Sequence, residues 1–120
     1  VTKTQTKDPG DIDVAINDVR LVGRLTNMPT TVELPSGDAV ITFRVSVPRA
    51  GAATGRRVDS VPCAAWTARV RRSVLSWRVG DLVEIEGAVR CRFYQAGGAT
   101  RSRVEVEASA GRIIRRSPGA

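Results

Sequence analysis

Apolar and polar residues alternate with a period of two through most of this chain. Asp18 to Leu25 puts Val19, Leu21, Gly23 and Leu25 on one face and Arg20, Val22 and Arg24 on the other, the signature of a half-buried strand. Met28-Pro29 breaks the run, and Pro35-Ser36-Gly37-Asp38 marks a turn after the extended segment Thr31–Leu34. Ala39 to Val47 alternates again, with Ile41, Phe43, Val45 and Val47 inward and Thr42, Arg44 and Ser46 outward. In the segment Val58 to Trp66, Val61, Cys63 and Ala65 point in, whereas Ser60, Pro62, Ala64 and Trp66 point out. Pro62 cannot donate to a ladder, which predicts an edge position or a bulge.

The period then changes. Val70, Val74 and Trp77 recur at helical spacing with Leu75 alongside, behind a capping Thr67 and before a stop at Gly80. Two more strands follow, Leu82 to Tyr94 and Thr100 to Ile114. Gly97-Gly98 between them suits a primed two-residue turn, whose central positions both need positive φ. Centred on that turn, Tyr94 faces Arg101, Arg92 faces Arg103 and Arg90 faces Glu105. One ribbon face then carries Arg90, Arg92, Tyr94, Arg101 and Arg103, and the other carries Val89, Cys91, Phe93, Val104 and Val106. The predicted class is all-β: five long strands with one short helix between strands 3 and 4, which fit a closed Greek-key barrel. Residues 1–13, polar and containing Pro9-Gly10, read as a flexible N-terminal segment; 14–115 form the domain and 116–120 a short C-terminal tail.

Charge sharpens this picture. The 120 residues contain 19 Lys and Arg against 12 Asp and Glu, a net charge of +7, and the only lysines are Lys3 and Lys7. Such a balance favours polyanions. Like charges directly opposite destabilise a sheet pair, so the Arg92–Arg103 pair predicts an anion between them, and the neighbouring Tyr94 makes nucleic acid the natural source. Histidine is absent and no CxxC pattern occurs, which removes ordinary zinc sites and histidine acid–base catalysis. No metal or other cofactor is expected. Cys63 and Cys91 both fall at apolar strand positions and read as buried thiols. There is no run long enough for a membrane span and no signal-peptide h-region at the start, so the expected location is the cytoplasm, associated with the nucleoid.

With only 4% aromatic residues, each ring calls for a reason. Trp66 and Tyr94 have outward parity and are the candidate stacking platforms; a core or subunit contact is the competing reading for Trp66. Phe93 has inward parity and reads as core, as do Phe43 and Trp77. Arg90, Arg92, Arg101 and Arg103 are the first candidates for phosphate contact, followed by Arg44 and Arg24 on the barrel strands and Arg56 and Arg57 in the loop before strand 3. Arg69, Arg71 and Arg72 read as a solvated helix face. Glu84, Glu86, Glu105 and Glu107 read as solvated strand positions that share faces with some of the arginines, so local ion pairs are expected to lower the effective charge. No nucleophile–base set lies beside them, so no catalytic residue is assigned and an enzyme is the weakest reading.

These stretches together resemble the bacterial single-stranded DNA-binding protein family. The resemblance runs through Asn17-Asp18-Val19-Arg20-Leu21-Val22-Gly23-Arg24-Leu25, Gly37 to Val45, Asp59 to Trp66, Gly80-Asp81-Leu82-Val83-Glu84-Ile85-Glu86-Gly87, Arg90-Cys91-Arg92-Phe93-Tyr94 and Val104-Glu105-Val106-Glu107. It implies an oligonucleotide-binding (OB-fold) barrel, no catalysis, a homotetramer or a dimer, and base stacking at Trp66 and Tyr94. Two departures stand out. Ser60 and the loop at Ala50–Gly51 lack rings that the family often has, and the sequence given stops at Arg115-Arg116-Ser117-Pro118-Gly119-Ala120 without the family's acidic tip. Either the chain is cut to its DNA-binding domain or it is a shorter paralogue, the favoured expectation, and tip-mediated repair partners are not foreseen. Two other functions fit the same residues: an interaction module of the primosome-accessory type, whose main partner is a protein, and a single-stranded RNA binder.

Overall fold

The computed structural model describes residues 14–51 and 57–118. The strands are β1 (Val19–Leu25), β2 (Thr30–Glu33), β3 (Ala39–Pro48), β4 (Val58–Ala65), β5 (Leu82–Ala96) and β6 (Ala99–Arg115), and one helix, α1 (Ala68–Leu75), lies between β4 and β5. They form a single sheet in the order β1-β5-β6-β4-β3-β2, which closes on itself where Arg24 and Leu25 of β1 pair with Ser46 and Val45 of β3. β2 is a short ribbon added to β3, so the barrel proper has five long strands with the helix between the third and fourth. All neighbours are antiparallel except β4 and β6, which run parallel over Cys63–Ala65 and Val106–Ala108.

Local chemistry places these elements. The turn before β3 is closed by hydrogen bonds from the N–H of Leu34 to the Asp38 carbonyl and from the N–H of Gly37 to the Leu34 carbonyl. Thr67 caps α1 by accepting from the N–H of Val70 at 3.3 Å. The inward residues of the strands and the apolar stripe of α1 meet in one core: Leu25, Ile41, Phe43, Val45, Cys63, Ala65, Val70, Val74, Trp77, Val83, Ile85, Val106 and Ala108. Phe43 and Trp77 meet edge to face with centroids 5.6 Å apart, so both predicted core rings are core rings. Burial, with the charge of Glu105 adding to it, pushes the Cys63 thiol up to about 12 and outweighs the opposing Arg44. Pro62 lies just before the three β4 residues that pair with β6, where its missing donor costs no ladder bond on that side.

Two polar anchors hold the outside of the barrel. The buried Asp81 carboxylate accepts from the N–H of Arg78 at 2.9 Å, the N–H of Ser117 at 2.7 Å and the Arg116 guanidinium at 3.2 Å. Burial alone would raise its pKa, but these hydrogen bonds together hold it below the ordinary 3.8. Glu84 lies between Arg20 of β1 and Arg112 of β6. The Arg20 hydrogen bond holds its pKa below the ordinary 4.5, against the effect of burial.

The β5–β6 ribbon runs beyond the barrel. Its register is the predicted one, with Tyr94 opposite Arg101, Arg92 opposite Arg103 and Arg90 opposite Glu105. Gly97 and Gly98 have φ of 60° and 82°, as a primed turn requires. The register shifts between Glu86 and Gly87. A Cβ at Gly87 would collide with the carbonyl oxygen of Glu107, so a side chain is excluded where the ribbon bends away from the barrel.

Several expectations are corrected here. Phe93 is not core but 71% exposed, and Cys91 is an exposed free thiol rather than a buried one. Both have inward parity, but the ribbon has left the barrel by then and no second layer covers that face. Glu84 and Glu105 are not solvated: they are 6% and 5% exposed, each held between two arginines. Arg71 does not lie free on the helix; its guanidinium donates to the carbonyls of Ala39 at 2.9 Å and Trp66 at 2.6 Å. The N-terminal segment 1–13 and Arg56 lie outside the described residues.

Candidate nucleic-acid interface

Outward-facing residues of β4, β6 and the distal half of β5 share one surface. Trp66 follows the last residue of β4, and its backbone is fixed there by the Arg71 guanidinium. Its ring is half-buried on the outer side of the sheet, with the Arg92 guanidinium carbon 4.8 Å from the ring centroid, within cation–π range. The indole Nε1–H is buried and has no acceptor among the described residues.

Arg92 also holds two carboxylates. Its Nε donates to Glu105 Oε2 at 3.1 Å and its Nη2 to Glu107 Oε1 at 3.1 Å. Glu105 reaches Arg103 at 3.4 Å, and Glu107 accepts from Arg90 at 3.1 Å. The predicted anion between Arg92 and Arg103 is therefore present, but it is the protein's own Glu105. The like-charge pair is neutralised from within and does not by itself demand a phosphate. Three guanidinium groups and two carboxylates leave a small net positive charge at this cluster, less than a count of arginines implies.

Further along the ribbon the surface is open. Tyr94 is 48% exposed and Arg101, its cross-strand partner, is exposed as well; Arg101 takes part in no ion pair among the described residues. On the other flank, the register sets Arg24 opposite Ser46 and Ser46 opposite Ser60. Arg44 Nε donates to Ser60 Oγ at 3.2 Å, and Arg24 Nη1 donates to the Gly80 carbonyl at 3.0 Å. Arg57 is exposed at the start of β4, where its carbonyl accepts from the N–H of Arg49.

The structure thus brings together Trp66, Arg90, Arg92 and Arg103, extends that group to Tyr94 and Arg101 along the ribbon, and sets Arg24, Arg44 and Arg57 on the β1–β3–β4 side. Glu105 and Glu107 belong to the site; the sequence set them on the arginine-bearing faces as ion-pair partners but did not single out Glu105 as the anion between Arg92 and Arg103. The signal was present in the sequence: two arginines in direct opposition with a glutamate two residues beyond one of them. A surface of this kind can hold a chain of phosphates and accept flat bases on its rings. It offers no group of three His, Cys, Asp or Glu that could hold a metal ion among the described residues, and none of the described helices is long and apolar enough to cross a membrane.

Comparison with known proteins identifies a family and a shared fold. The model of the single-strand binding protein family matches residues 16–114. "Single-stranded DNA-binding protein 2" of Streptococcus agalactiae serotype V is 32% identical over 101 residues, covering 82% of this chain and 76% of that protein. The single-stranded DNA-binding protein of Clostridium tetani is 33% identical over 88 residues, 72% of this chain and 61% of that protein. Single-stranded DNA-binding protein A of Bacillus subtilis is 32% identical over 82 residues, 67% of this chain and 48% of that protein. The chain thus spans between about half and three quarters of the length of these curated relatives. Among solved structures, a Plasmodium falciparum SSB complex with ssDNA superposes with a TM-score of 0.67 over 86% of this chain and 96% of that one. At 18% sequence identity it establishes a shared fold.

Proposed function

Because the chain belongs to the single-strand binding protein family, we propose that it binds single-stranded DNA with little sequence preference and protects it during replication, repair or recombination. The observation that carries this reading is the outward surface of β4, β5 and β6, where the half-buried Trp66 and the exposed Tyr94 stand among Arg90, Arg92, Arg101 and Arg103. Phosphates release counterions as arginines neutralise them, and every base has a flat face that an aromatic ring can take. Neither interaction reads sequence. Arg24, Arg44 and Arg57 extend the track for the backbone, and Arg56, next to Arg57 in sequence, is included in the proposal on its charge alone. The role is binding without catalysis, in the cytoplasm at the nucleoid, through one barrel domain over residues 14–115.

The working form in this proposal is a homotetramer, with a dimer as the smaller alternative. Support comes from the uncovered ribbon face, where Val89, Cys91, Phe93 and Val104 are all exposed. Light scattering coupled to size exclusion tests it: a mass equal to one 12.9 kDa chain overturns it.

Titration with oligothymidine tests the DNA reading. Tryptophan emission is expected to fall on binding, and the affinity to weaken steeply as salt rises. Absence of any binding at low salt overturns it. Competition between DNA and RNA strands of equal length settles which sugar is preferred.

A further inference from the structure

We propose that Arg92 gates Trp66: without nucleic acid its guanidinium covers one face of the indole, held there by Glu105 and Glu107, and a single strand opens the site by drawing that guanidinium onto a phosphate so that the ring can take a base. This rests on the DNA-binding reading above and adds a regulated step to it.

Three observations meet at this point. The guanidinium carbon lies 4.8 Å from the ring centroid, on a face that a base would need for stacking. The same guanidinium already uses Nε and Nη2 on two carboxylates, both at 3.1 Å. The indole N–H is buried with no acceptor among the described residues, an unfavourable placement that a movement of the ring would relieve. The unbound site is therefore closed by the protein's own charges.

The chemistry also says what opens it. A phosphate offers the guanidinium the same forked geometry as a carboxylate and so competes for it directly. Glu105 is buried and also tied to Arg103, so it stays in place. Glu107 is about a third exposed and shared with Arg90, which makes it the partner that yields. One exchange then supplies both handles of a single strand, a phosphate on Arg92 and a base on Trp66.

Glu107→Gln is the chosen test because Glu107 is not buried in the core and glutamine keeps its shape. Binding of labelled oligothymidine is read by anisotropy, with Glu33→Gln as a charge-matched control on β2, exposed and in no described ion pair. The gate predicts that Glu107→Gln binds about 3- to 5-fold more tightly than wild type, the range for losing one competing, partly exposed ion pair. The control should change affinity by less than about twofold, the effect of a distant screened charge. In an Arg92→Gln background, the gain from Glu107→Gln should fall by at least half on a logarithmic scale. Arg92→Gln should also alter the tryptophan emission of the unbound protein, against the constant background of the buried Trp77. If wild type binds DNA but Glu107→Gln gains no more than Glu33→Gln, or gains as much without Arg92, the gate is wrong and the functional reading stands. Unchanged emission in Arg92→Gln likewise removes the gate. If wild type does not bind oligothymidine at all, the functional reading falls and the gate falls with it.

Discussion

Arg92 and Arg103 face each other directly across the β5–β6 ribbon, and the carboxylate of Glu105 is hydrogen-bonded to the first and ion-paired with the second. A buried acid thus lets a sheet tolerate a like-charge pair on its outer face. Replacing it with the neutral isostere leaves two guanidinium groups opposed with one weak acceptor between them. Glu105→Gln should destabilise the fold by about 1–2 kcal/mol, below the cost of breaking a fully buried pair because both arginines are partly exposed to solvent. Urea denaturation of wild type and variant measures this; an unchanged midpoint would show that solvent already screens the two arginines.

The ring and the open arginine should separate in their salt behaviour. Trp66→Ala should weaken oligothymidine binding by about 1–3 kcal/mol, the worth of one stacked base, with the salt slope unchanged. Arg101→Ala should weaken binding at all sequences and lower the slope of log K against log salt by about 0.7, the single-strand value for one phosphate contact. Affinities at four or five salt concentrations distinguish the two.

Acid should destabilise the protein through Asp81 and Glu84. Both have folded pKa values below their ordinary 3.8 and 4.5, so the folded state binds fewer protons than the unfolded chain. Their contribution is fully present above about pH 4.5 and is lost as pH falls through the depressed folded values. Asp81→Asn should lower stability at neutral pH and flatten the acid limb. Unfolding midpoints measured in urea between pH 7 and 3 give both slopes.

Gly87→Ala should unsettle the join between barrel and ribbon. The added methyl would press on the backbone of Glu107 and Ala108 rather than on a yielding side chain. The expected cost is about 3 kcal/mol, the upper range for overpacking. Thermal unfolding checks it, and a cost near zero would mean that the strand can slide at the bulge.

Much of this architecture was legible from local pattern. The alternation in β1 and β3, the cap at Thr67 and the turn at Gly97-Gly98 each have a short-range cause, and the ribbon register followed from the turn alone. What parity could not supply was the extent of cover. Phe93 has the same inward phase as Phe43, but one lies inside a closed barrel and the other beyond its rim. Nor could it supply partners from strands distant in sequence. Glu84 is enclosed because Arg20 and Arg112 arrive from β1 and β6, and Arg71 is anchored because the Ala39 and Trp66 carbonyls lie within reach. The same limit applied at the site, where the arginine strip and some local ion pairing were visible but the burial of Glu105 between two arginines was not.

The parallel seam between β4 and β6 has a consequence for how the molecule comes into being. It joins residues 63–65 to residues 106–108, so the sheet has no finished wall until the last strand has been made. Contacts so remote along the chain form late and slowly. A polypeptide released before that strand would leave Phe43, Cys63 and Val83 without a lid, exposed to chaperones and proteases.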